Sequence, residues 1–103
     1  MYLEQIEMFQ GERVEIIELN LLNVGIQLEL SLRIHFCNTI YTISFYNVSR
    51  FNIDNMSIPM DVFGFEIINH SNEGWAKDSN YEFRDFEDNR IGFFFEYLKL
   101  KEG

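Results

Sequence analysis

The chain has 103 residues, with 17 acids against 8 bases and a formal net charge of −9. Its 47% apolar and 17% aromatic residues can bury enough surface to offset the entropy of ordering the backbone, which excludes a disordered chain. The acid excess argues against a duplex nucleic-acid binder, which needs clustered Lys and Arg to displace counterions from phosphates.

At this length about two-thirds of the unfolded chain's surface disappears on folding, so residues 1–103 read as a single domain. One cysteine cannot form an internal disulfide, so Cys37 is expected to be a reduced, intracellular thiol. Glu4, Glu7, Glu12, Glu15 and Glu18 stand where a secretory leader would carry a basic and then an apolar region. No apolar run reaches the roughly 20 residues that a membrane helix needs. The expected setting is cytoplasmic.

The opening segment Tyr2–Gln10 reads two ways. Leu3, Ile6 and Phe9 have near-helical spacing, whereas Ile6 and Met8 suit a strand. Val14–Leu22 and Val24–Phe36 then form a hairpin around Asn23-Val24-Gly25, whose residues tolerate turn geometry. The clearest alternation in the chain is Ile26, Leu28, Leu30, Leu32, Ile34 and Phe36 against polar neighbours, the pattern of a half-buried strand. After a turn at Cys37-Asn38-Thr39, Tyr41, Ile43 and Phe45 mark a third antiparallel strand.

Arg50–Asp54 is a shorter strand, and residues 55–60 break regularity because Pro59 has no N–H for a ladder. Phe63, Phe65 and Ile67 restart the alternation, and the polar stretch from Asn69 to Gly74 is a loop ending at Trp75. Tyr81 and Phe83, a tight turn at Asp88-Asn89, and Ile91, Phe93, Phe95 and Tyr97 form a second hairpin. About seven strands and no long helix predict an all-β domain, an antiparallel β-sandwich or a strongly curved, partly closed sheet.

The combinations that carry chemistry are thin. Cys37 would need His35 or His70 as a base, and strand residues 35 and 37 share a face without forming a relay. Gly64 and Gly74 are too far apart for a phosphate loop. Two histidines and one cysteine lack zinc-ligand spacing. Asp85-x-Glu87-Asp88-Asn89 lacks the glycine and distal Glu of a calcium loop, so it reads as a polar hairpin tip. The sequons at Asn47, Asn55 and Asn69 read as chance in an Asn-rich chain. No enzyme, cofactor or metal is expected.

Three features bear on partners. Ile91, Phe93, Phe95 and Tyr97 share one face of their strand while Phe94 and Leu98 occupy the other, which fits either a central strand covered on both sides or a contact patch around Phe94. Seven acids, Glu66, Glu73, Asp78, Glu82, Asp85, Glu87 and Asp88, lie between positions 66 and 88 against Lys77 and Arg84. Trp75 either closes one end of the core or anchors a partner. The candidate contact residues are Glu73, Trp75, Asp78, Asp85, Glu87, Asp88 and Phe94.

Gly64-Phe65-Glu66-Ile67-Ile68, Gly74-Trp75, Tyr81–Asp88 and Ile91-Gly92-Phe93 together resemble small bacterial β-proteins, some of which accompany polymorphic or contact-dependent toxins as immunity proteins. The resemblance covers about half the chain, and Asn89 stands where a turn glycine would follow Asp88. It implies an immunity-type inhibitor of a toxin domain; the acid excess adds the expectation that such an inhibitor covers a basic toxin domain with its acidic surface, a role that needs no catalytic residues. Other classes consistent with the residues are a self-assembling structural domain with an aromatic sheet face, and a carbohydrate or small-ligand binder stacking on Trp75 and Tyr81. Neither a nucleic-acid nor a membrane partner is expected; a homo-oligomer is allowed.

Overall fold

A computed structural model describes residues 6–9, 11–54, 57–62, 65–70, 80–85 and 90–103. It is an all-β structure of two antiparallel sheets packed face to face. Among the described residues a 3-10 turn, Glu7–Phe9, precedes nine strands. These are β1 (Val14–Val24), β2 (Gln27–Phe36), β3 (Thr39–Tyr46), β4 (Ser49–Ile53), β5 (Met60–Val62), β6 (Phe65–Asn69), β7 (Tyr81–Asp85), β8 (Ile91–Phe95) and β9 (Tyr97–Glu102). One sheet has the order β5-β1-β2-β3-β9 and the other β4-β8-β7-β6.

The period-2 pattern dictates the layering. Leu30, Leu32 and Ile34 of β2 lie opposite Phe45, Ile43 and Tyr41 of β3, and all but the half-buried Tyr41 are buried in the core. Their polar neighbours Ser31 and Arg33 face outwards with Ser44 and Thr42. In the second sheet Phe83 lies opposite Phe93, the two rings stacked at 4.9 Å. Phe45 reaches across from the first sheet with its ring edge-on to Phe93 at 4.8 Å and Phe95 at 4.9 Å. These offset and edge-to-face contacts suit the ring quadrupoles.

Three boundaries differ from the sequence reading. Val24 pairs with Gln27, so the first turn is Gly25-Ile26, with Gly25 at φ 65° and Ile26 fully exposed. The segment at 2–10 resolves, over its described part, into a 3-10 turn whose Phe9 is buried and packs edge-on to Phe36 and Tyr41, each at 5.2 Å. Phe9 therefore closes one end of the sandwich. The stretch from Ile91 to Leu98 is two strands, because the chain bends at Glu96 and passes from one sheet to the other. There the Glu96 N–H donates to the Tyr46 carbonyl at 3.0 Å, and Asn47 Nδ2 donates to the Glu96 carboxylate at 3.2 Å. Leu98 consequently sits in the core, and Tyr97 stacks on Tyr46 at 4.6 Å on the outside of the first sheet.

Candidate functional site

Of the seven residues proposed from sequence, Glu73, Trp75, Asp78, Glu87 and Asp88 lie outside the described residues. The other two occupy opposite sides of the second sheet. Asp85 follows Tyr81 and Phe83 on the inward side of β7, in register with Phe65, and is fully buried. It therefore cannot belong to a solvent-facing acidic patch, a correction that the phase of Tyr81, Phe83 and Asp85 already implied.

Phe94 points outwards, in register with Glu82 of β7 and Ser49 of β4. A bulge between Ser49 and Asn52 sets two residues, Arg50 and Phe51, against Phe93, with Arg50 in the left-handed region at φ 51°. Bulges of this kind re-aim side chains, and here the Arg50 guanidinium lies over the Phe94 ring, 5.0 Å from its centroid. The His70 ring stacks against Phe94 at 5.8 Å. His70 Nε2 is 2.9 Å from Glu82 Oε1, and Glu82 Oε2 accepts from Arg84 Nη2 at 2.8 Å and Nε at 3.0 Å. An unbroken row of side chains thus runs Arg84, Glu82, His70, Phe94, Arg50 across the outer side of the sheet. Glu82 and His70 are nearly enclosed, with side-chain exposures of 12% and 13%.

Sequence reasoning missed this row because its members come from β4, β7, β8 and the residue that follows β6. Only the i, i+2 spacing of Glu82 and Arg84 within one strand was a readable signal. The row also changes the reading of the acidic stretch: Glu82 is held by a cation, Glu66 is exposed, and Asp85 is enclosed. The Ile91–Tyr97 aromatics do not share one face: Phe93 and Phe95 are buried on an inner strand of the second sheet, whereas Phe94 faces outwards and Tyr97 lies on the outside of the first sheet.

A separate recess of about 440 Å³ is lined by Arg13, Glu15, His35, Phe36, Cys37 and Asn38. Cys37 sits exposed in the β2–β3 turn at φ 49°. His35 Nδ1 is 3.8 Å from Glu15 Oε1, beyond hydrogen-bonding distance. The Arg13 guanidinium is held by Asp61 at 2.8 Å. Among the described residues no three His, Cys, Asp or Glu side chains converge to hold a metal ion, and no helix is long and apolar enough to cross a membrane.

Comparison with protein-family models, curated proteins and solved structures finds no match to this chain.

Proposed function

We propose that the chain is a non-catalytic, acidic protein-binding domain acting in the cytoplasm, and that its partner is a basic protein surface such as the nucleic-acid-binding groove of a toxin domain. The observation that carries this reading is how the charges are disposed. All five arginines are engaged within the chain. Arg13 is held by Asp61, Arg33 by Glu18 and Arg84 by Glu82; Arg90 donates to the Asp61 carbonyl, and Arg50 lies over Phe94. By contrast Glu7, Glu12, Asp54, Glu66 and Glu102 are exposed. The field around the molecule is therefore that of its surplus carboxylates, which accelerates encounter with a cationic partner and opposes binding to phosphates.

Phe94 remains the apolar candidate on the outer side of the second sheet, and Glu73, Trp75, Asp78, Glu87 and Asp88 are the other proposed contacts. An immunity-type role also fits the resemblance carried by the C-terminal half. The test is a tagged pull-down washed at low and then high salt, followed by charge reversal of Glu73, Asp78, Glu87 and Asp88. A stoichiometric basic protein released by salt, bound at least tenfold more slowly by the reversed variant, is the expected result. Unchanged affinity in that variant would remove the acidic surface from the mechanism.

A further inference from the structure

The four-stranded and five-stranded sheets each have two edges, and those edges are defended unequally. An edge strand offers unmet N–H and C=O groups to any other strand, so natural sheets blunt edges with charge, bulges, brevity or cover. β9 carries Lys99, Lys101 and Glu102; β6 is five residues long and carries Glu66; β4 is five residues long and broken by the bulge at Arg50. On the remaining side, β5 pairs with β1 only from Val14 to Ile16. Pro59, which has no N–H to give, precedes β5 and stops that ladder where β1 continues.

Beyond Ile16, no described strand pairs with β1 on the side away from β2. A bulge follows between Ile16 and Glu18. From Leu19 to Val24 the edge then reads Leu-Asn-Leu-Leu-Asn-Val, with no charge. Leu21 is 44% and Leu22 58% exposed.

We propose that this segment of β1, from Leu19 to Val24, is a dimerisation edge, and that its occupant is β1 of a second copy, paired antiparallel about a two-fold axis through Asn20. An isologous contact requires a surface complementary to itself. In this register the inward residues Leu19 and Leu21 of one copy meet Leu21 and Leu19 of the other, extending the apolar side of the five-stranded sheet. On the outward side Asn20 meets its own copy, and Glu18 lies opposite Leu22, so no two carboxylates face each other. Glu18 accepts from Asn20 at 3.0 Å and from the Arg33 guanidinium at 3.3 Å, and the arginine offsets part of its charge before association. β5 limits the pairing to a short stretch, placing the contact at the small, reversible end of the interface range.

With −9 on each copy, salt strengthens this association, whereas it weakens binding to a basic partner. The two readings are thereby separable. The experiment is sedimentation of the whole chain over a concentration series at low and high salt. The expected mass rises from 12.4 kDa towards twice that value, and does so at lower concentration in high salt. Asn20→Lys and Asn20→Glu, both at an exposed position, place like charges face to face at the axis and are each expected to remain monomeric with unchanged circular dichroism. An equimolar mixture of the two restores the dimer. A wild-type chain that stays at 12.4 kDa up to its solubility limit overturns the proposal, as does a dimer that both single variants form as readily as the wild type.

Discussion

Phe45 is where the two sheets meet most closely. Fully buried, it presents its edge to Phe83, Phe93 and Phe95 within 5.8 Å. Replacing it with alanine leaves a cavity that the stacked rings of the second sheet cannot fill without losing their own contacts. Phe45→Ala is expected to cost about 3–5 kcal/mol, measured as a lower denaturant midpoint at an unchanged slope. At the surface, Glu18 has its pKa held below the ordinary carboxylate value, first by the hydrogen bond from Asn20 and then by that from Arg33. A lowered folded-state pKa contributes stability that is present above the unfolded value and lost as pH falls through the folded one. An NMR titration of the Glu18 carboxyl should place its midpoint below those of ordinary exposed glutamates, and Asn20→Ala should move it upwards. A midpoint unmoved by that substitution would reassign the effect to Arg33.

At the scale of the element, alternation carried most of the fold. Residues 26–36 show it without interruption, and β2 emerged within one residue of that span. Alternation failed where it continued through a change of partner. Ile91 to Leu98 keeps its rhythm across Glu96, and the hydrogen bond to Tyr46 that turns the strand into the other sheet comes from a residue 50 positions away, which no local pattern can show. The candidate site was less legible for a related reason. The row from Arg84 to Arg50 depends on strand order and on a bulge, and neither is written in composition. Turn chemistry was legible but imperfect: Cys37 and Asn38 both have positive φ, 49° and 64°, the geometry of a two-residue turn that favours Asn-Gly. Replacing the pair by Cys37→Asn and Asn38→Gly is expected to stabilise the chain by about 1 kcal/mol, read as a Tm about 4–8 °C higher.

Across the whole molecule the net charge of −9 sits on a compact body with a radius of gyration of 12.8 Å. Cross-strand pairs such as Glu18 with Arg33 are exposed on both sides and contribute little individually. The surplus carboxylates repel one another at close range in the folded state. Raising ionic strength from about 0.01 to 1 M shortens the screening length from about 30 to 3 Å. Thermal unfolding is accordingly expected at higher temperature in concentrated salt, and a fall in Tm would mean that specific ion pairs outweigh the general repulsion.

The bend at Glu96 has one more consequence, for the way the molecule opens. β8 and β9 are neighbours in sequence but hydrogen-bond into different sheets, so Glu96 ties the β3–β9 ladder to the second sheet, as Asn47-Val48 does where β3 leads into β4. If β9 peels from β3, the chain pulls on the strand at the centre of the other sheet. Amides of β3 and of β8 are therefore expected to exchange with solvent deuterium through a shared opening event of nearly equal free energy, while those of β6, at the far edge, exchange through smaller local openings.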